Sequence, residues 1–160
     1  MHRVIEAAAR RGVALAVVQL DDSTHTAVDA ARALGVELGQ IVKSLVFVAP
    51  RPGGAPEPVI CLAAGTNRVD VALLSAATGE PALRRATARE ARDLTGFAIG
   101  GIPPLGHATP ARVVMDPDLQ RYATVWAAAG LDRAVFPVSP PDLRSLTDAV
   151  VAPVADRAAS

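Results

Sequence analysis

The sequence predicts an α+β or mixed-sheet domain, not a doubly wound one, and three observations carry that expectation. Two apolar runs, Gln40–Ala49 and Pro58–Ala64, flank Arg51-Pro-Gly-Gly-Ala-Pro-Glu57, a turn-rich segment that makes them a hairpin. Later apolar runs are separated instead by short segments that carry helix caps. No repeat, low-complexity tract or linker interrupts the 160 residues, so one domain spanning 1–160 is expected. Strands that come both in hairpins and across helices build a sheet of mixed direction.

The elements follow in order. A first helix is expected from His2 to Arg11, stopped by Gly12, and Val13–Leu20 reads as a strand. Thr26 opens a second helix through a capping box with Asp29, and Gly35 ends it. After the hairpin, Asp70 caps a short helix through Ala77, closed by Gly79-Glu-Pro81. Thr87 and Glu90 form another capping box, and that helix stops at Thr95-Gly96. Apolar runs at Val113–Met115, Thr124–Ala128 and Ala134–Val138 follow. Ser139-Pro-Pro-Asp142 is a helix start, with a cap residue, proline in the first turn and an acid at the third position. A last strand over Ala149–Val154 and a frayed tail complete the expectation.

Composition narrows the function. Hydrophobic residues make up 51% of the chain but aromatics only 3%, so the core must be built from Ala, Val, Leu and Ile. Sixteen basic residues balance sixteen acidic ones, which argues against a protein that coats duplex DNA by bulk charge and leaves room for a local basic patch. No apolar segment is long enough to span a bilayer, and Arg10-Arg11 and Asp21-Asp22 break any signal-peptide pattern, so the cytoplasm is the expected location, with no membrane partner. The single cysteine, Cys61, sits in an apolar run as a small buried filler and sets neither a disulfide nor a metal site.

Two segments attract attention. Of the sixteen basic residues only Lys43 is lysine, and it lies inside the strand-like run Gln40-Ile-Val-Lys-Ser-Leu-Val-Phe. Lysine is a compact point charge whose pKa moves when it is desolvated. Left unpaired among Ile, Val and Leu, it would cost roughly several kcal/mol. The alternative is a lysine snorkelling to solvent from a strand edge. The second segment is Gly100-Gly-Ile-Pro-Pro-Leu-Gly-His107. Its glycines allow close backbone approach, and successive amides can form an anion nest or donate to an oxyanion. A stiff surface turn is the plainer reading. Ser44 faces away from Lys43 on a strand and reads as structural. His107 adjoins the loop, whereas His2 is terminal and His25 lies in a polar loop.

Taken together, Gln40–Phe47 and, some way downstream, Thr95-Gly-Phe-Ala-Ile-Gly-Gly-Ile-Pro-Pro-Leu-Gly-His107 resemble the YbaK/EbsC family. These are free-standing relatives of the editing domain inserted in bacterial prolyl-tRNA synthetases. The resemblance runs from the Thr24–Gly35 helix to the Leu143 region, with Asn67–Asp70 and Asp116–Asp118 in matching loops. It implies a twisted mixed sheet flanked by helices and a trans-acting aminoacyl-tRNA deacylase that removes a small mischarged residue (Cys, Ala, Ser or Thr), with tRNA(Pro) the expected carrier. Lys43 would then hold the terminal adenosine or its phosphate, and the Gly100–Gly101 amides would surround the ester carbonyl. Ser44, Asn67, Ile102, Pro103 and His107 are the candidate substrate contacts. No cofactor or metal is implied. The expected partners are the acceptor end of aminoacyl-tRNA and prolyl-tRNA synthetase.

An aminoacyl ester is already activated, so positioning and oxyanion donors suffice for its hydrolysis without a Ser-His-Asp set. The densest basic patch, Arg84, Arg85, Arg89 and Arg92, is the candidate tRNA contact; Arg89 and Arg92 share a helix face, and with Glu90 and Asp93 interleaved that face reads equally as solvated. Two competing readings are a non-catalytic module that binds a tRNA end or nucleotide, and an adaptor in a synthetase complex.

Overall fold

The computed structural model describes residues 1–156. Its centre is the hairpin of β2 (Val42–Ala49) and β3 (Glu57–Ala64), paired along their full length with Val42 opposite Ala64 and Ala49 opposite Glu57. Arg51 closes the turn by binding both Glu57 and Glu80. Three more strands complete a five-stranded sheet in the order β5-β2-β3-β6-β9, where β5 is Arg84–Arg85, β6 is Arg112–Met115 and β9 is Val150–Val151. β5 lies antiparallel to β2, while β6 is parallel to β3 and β9 parallel to β6. The sheet is mixed, as expected, because the hairpin is local and the later strands return across helices.

A second sheet has the order β1-β8-β7, from Val18–Gln19, Ala134–Val138 and Val125–Ala128, all antiparallel. Together with α1 (His2–Arg10), α4 (Ala88–Thr95) and α5 (Pro140–Thr147) it covers one face of the main sheet. There Val46, Ile60, Leu62 and Met115 pack with Val4, Ala91, Phe136 and Leu143. The other face is narrower: Phe47, Val59, Cys61 and Val114 pack with Leu74 of α3 (Val71–Thr78) and with Val154. A third cluster seats Ala30 and Ala31 of α2 (Ala27–Leu34) against Ile41 and Trp126.

The predicted caps form. The Thr26–Asp29 and Thr87–Glu90 capping boxes are both complete, and Asp70 and Ser139 accept from the first-turn amides of α3 and α5. Gly35, Gly79 and Gly96 end α2, α3 and α4 in the left-handed conformation.

Two strand expectations change. Of Val13–Leu20 only Val18–Gln19 pairs, because a strand needs a ladder and only Ala134–Val135 of β8 supplies one. Of Ala149–Val154 only Val150–Val151 joins the sheet: Pro153 has no N–H to continue the ladder. Ala155–Asp156 (β10), placed in the frayed tail by sequence, instead pairs with β4 (Arg68–Val69). The rest of that tail, 157–160, lies outside the described residues.

Candidate active site

One edge of β2 shapes the site. β5 covers it only at Phe47 and Val48, and Ile41 bridges to Trp126 at the other end. Between these points, among the described residues, no strand pairs with that edge, and Val42–Val46 border a cleft of about 280 Å³. Lys43 pairs with Ala63 and Ser44 with Leu62, so their side chains leave opposite faces of the sheet, as sequence predicted. Both nevertheless line the cleft, which wraps the open edge.

Lys43 is half-buried, and its Nζ donates to the backbone carbonyl of Asn67. Burial lowers its pKa below the ordinary lysine value, and Arg85 adds to the effect, while Asp116 and Cys61 pull the other way. Asn67 does not line the cleft; it orients Lys43. Its own amide donates to Asp116 Oδ2 at 2.7 Å and Asp118 Oδ2 at 2.8 Å. Asp116 is fully buried and accepts from Ala64 N at 3.1 Å and Asp118 N at 2.9 Å. A buried carboxylate saturated with donors is a fixed post, and through Asn67 it sets where the ammonium sits.

The glycine–proline loop leaves α4 at Gly96 and is tied shut where Ala108 N donates to Thr95 O at 2.8 Å. Phe97, Ile102 and Leu105 anchor it in the main core. Of its two candidate donors, only Gly100 lines the cleft, at φ +105. The Gly101 amide is already engaged, donating to Ala98 O at 3.1 Å, and Gly101 packs against the Leu131–Asp132 backbone. Ile102 reaches the cleft; Pro103 does not. The Pro103 carbonyl accepts from His107 Nε2 at 2.7 Å, which requires the proton on Nε2. Burial lowers the His107 pKa, with the Pro103 bond opposing. The structure therefore gives His107 a place inside the loop, away from the cleft.

The arginine patch disperses. Arg84 is held bidentately by Glu90 at 2.7 and 2.8 Å, and Arg89 lies 3.9 Å from Asp93. Arg92 is exposed on α4. Arg85 alone borders the cleft, with its guanidinium 5.7 Å from the Phe47 ring centre. Cys61 is fully buried, and burial with Asp116 nearby pushes its thiol up to about 12, which leaves it inert as a nucleophile.

Sequence reading passed over other parts of the cleft lining. Thr24, His25 and Thr26 before α2, with Trp126, Asp132 and Arg133 from the second sheet and its loop, also border the cleft. Arg133 sits at φ +63, which a non-glycine residue seldom adopts. Ser44 Oγ and Arg133 Nε are buried side-chain polar atoms without a hydrogen-bond partner, and both residues belong to this cleft. Nothing local in the sequence links these positions to Lys43, apart from Arg133 as one more cation.

The aminoacyl-tRNA editing domain family matches residues 21–146, which run from the His25 wall through Lys43 and the glycine loop to α5. The chain belongs to that family. Its reaction is hydrolysis of an aminoacyl-tRNA ester. A crystal structure presented as a candidate trans-editing enzyme for prolyl-tRNA synthetase is 48% identical, with a TM-score of 0.88 over 97% of this chain and 96% of its own. The Ser/Thr-tRNA deacylase ProXp-y of Escherichia coli K12 is 31% identical over 71% of each chain. YwhH of Bacillus subtilis, whose name states no activity, is 32% identical over 79% of this editing domain and 78% of its own length. Among the described residues no helix is long and apolar enough to cross a membrane.

Proposed function

We propose that this editing domain acts in trans to remove a small wrong amino acid, of the alanine, cysteine, serine or threonine type, from the acceptor end of tRNA. The observation that carries the reading is convergence: Lys43 on β2 and the Gly100 turn after α4, distant in sequence, border one cleft. In this reading Lys43 Nζ holds the terminal nucleotide's phosphate or ribose through a charge-assisted bond. The Gly100 amide faces the ester oxygen, where developing charge needs a preset donor. Water attacks the activated ester, so the reaction needs neither an exposed thiol nor a catalytic triad.

Size supports the choice of substrate. A cleft of about 280 Å³ is at the small end for ligand sites, which run from roughly 300 to 1,000 Å³. In this reading the apolar wall of Leu20, Ala27, Ala30, Ile41 and Trp126 receives the side chain, and a cleft that also seats the terminal ribose favours a short one. The similarity to a candidate trans-editing enzyme for prolyl-tRNA synthetase favours tRNA(Pro) as carrier and that synthetase as partner. The Escherichia coli Ser/Thr-tRNA deacylase extends the range to small polar residues. One-methylene discrimination by an apolar wall is worth only about 10–200-fold, so overlapping substrates are expected.

The test is a deacylation panel with tRNA(Pro) charged singly with alanine, cysteine, serine, threonine, proline or phenylalanine. The small residues should be released, and proline and phenylalanine spared. Equal rates for alanyl and phenylalanyl esters would refute the size argument. Binding of every ester with no turnover would make the chain a tRNA-end-binding module.

A further inference from the structure

We infer that Asp132 binds the α-ammonium group of the aminoacyl ester, so the site selects an unblocked amino acid and not merely an ester. The inference rests on the reading of this cleft as the editing site.

Charge is the first argument. Lys43, Arg85 and Arg133 border the cleft as cations, and Asp132 is the single carboxylate among the described residues that line it. The end of an aminoacyl-tRNA carries the complementary set: phosphates along the backbone and one ammonium on the amino acid. Cations that welcome phosphate repel the ammonium unless a carboxylate stands where it lies.

Position is the second. A Cβ on Gly101 would stand 3.0 Å from Leu131 C and 3.2 Å from Asp132 N, so the segment carrying Asp132 touches the back of the turn whose front, Gly100, borders the cleft. The α-nitrogen is two bonds from the ester carbonyl carbon. A carboxylate rooted beside the turn that holds the carbonyl is therefore within reach of the amine.

Availability is the third. Asp132 meets Arg133 Nη1 at 3.5 Å, too long for a strong charge-assisted bond, and its side chain is 66% exposed. Arg133 also approaches Asp22 at 3.4 Å, so it keeps a partner when Asp132 turns to the substrate. The left-handed backbone at Arg133 is strain of the kind that concentrates at ligand sites, and it sets two consecutive charged residues on the cleft wall.

The experiment uses two non-hydrolysable probes on the full chain: 3′-alanylamino-3′-deoxyadenosine 5′-phosphate and its propionyl counterpart, which lacks only the amine. Calorimetry should show the amine-bearing probe bound about 10–100-fold more tightly, the range of a charged hydrogen bond. Asp132→Asn should reduce the preference to near unity at an unchanged melting temperature, and Asp132→Glu should retain part of it. Equal binding of the two probes by the native chain would overturn the inference, as would a preference that survives in Asp132→Asn or binding of neither probe. The readout does not need turnover. Failure of the deacylation panel with the amine preference intact would remove the editing reaction and leave the ammonium site.

Discussion

Replacing Gly101 by alanine isolates what the glycine loop contributes. The added Cβ would meet three backbone atoms: Leu131 C at 3.0 Å, Asp132 N at 3.2 Å and Leu131 O at 3.3 Å. Backbone cannot rotate aside as a side-chain tip can, so the loop and the Leu131–Arg133 segment must part by a few tenths of an ångström. Overpacking of this kind costs about 1–3 kcal/mol. At roughly 2–4 °C per kcal/mol for a chain of this size, the melting temperature should fall by about 2–12 °C. The same displacement moves Asp132 and Arg133 relative to Gly100 in the cleft lining, so turnover should fall more than ground-state binding. Gly54→Ala is the control: it lies in the hairpin turn with nothing within 4 Å and no left-handed backbone, and it should be neutral or slightly stabilising. Scanning calorimetry and single-turnover deacylation measure both effects. Native melting and native kcat in Gly101→Ala would refute the packing argument; weakened binding at unchanged kcat would make the loop a docking surface.

Lys43→Ala should abolish most turnover with little change in melting temperature, and Lys43→Arg should rescue poorly, since a fork cannot replace a point charge seated on one carbonyl; full activity in either variant would displace Lys43 from the site. Because the folded pKa of Lys43 is lowered, the folded state releases its proton first as pH rises. Turnover, corrected for spontaneous hydrolysis, should therefore decline at a pH below the ordinary lysine value, while this group's contribution to stability rises between its folded and unfolded pKa values. A pH–rate profile that stays flat up to the ordinary lysine value would contradict this. Asp116→Ala strands the Ala64 and Asp118 amides and leaves the Asn67 side-chain amide with Asp118 alone, and should cost on the order of 3 kcal/mol by denaturant titration; a loss within experimental error would remove the post from beneath Lys43. If Arg89 and Arg92 each meet a phosphate, their joint replacement by alanine should flatten the salt dependence of tRNA binding by about one to two units of slope. Arg85→Ala, at the cleft, should weaken minimal aminoacyl-adenosine as well. An unchanged slope in the double variant would confine the tRNA contact to the cleft.

Local rules carried the helices and the hairpin. The Thr26–Asp29 and Thr87–Glu90 boxes, the glycine stops and the Arg51–Glu57 turn act within a few residues, so their chemistry is readable from a short window. Lys43 was legible for a related reason: a lone lysine in an apolar strand needs a partner, and the structure supplies Asn67 O. The lengths of β1 and β9 were not legible, because pairing depends on which distant strand is available and on where Pro153 removes a donor. The same limit governs the site. Sequence marked Gly100 and Gly101 as equal donors, but the Gly101 amide closes a local turn on Ala98 O, and only tertiary packing set Gly100 on the cleft. It also brought Asp132 and Arg133 to the cleft that Lys43 borders, whereas the His107–Pro103 and Arg84–Glu90 bonds close within four and six residues. Caps and turns are settled by neighbours along the chain. A cleft is settled by neighbours in space, and a mixed sheet draws them from β2, α2, the loop after α4 and the β7–β8 connection.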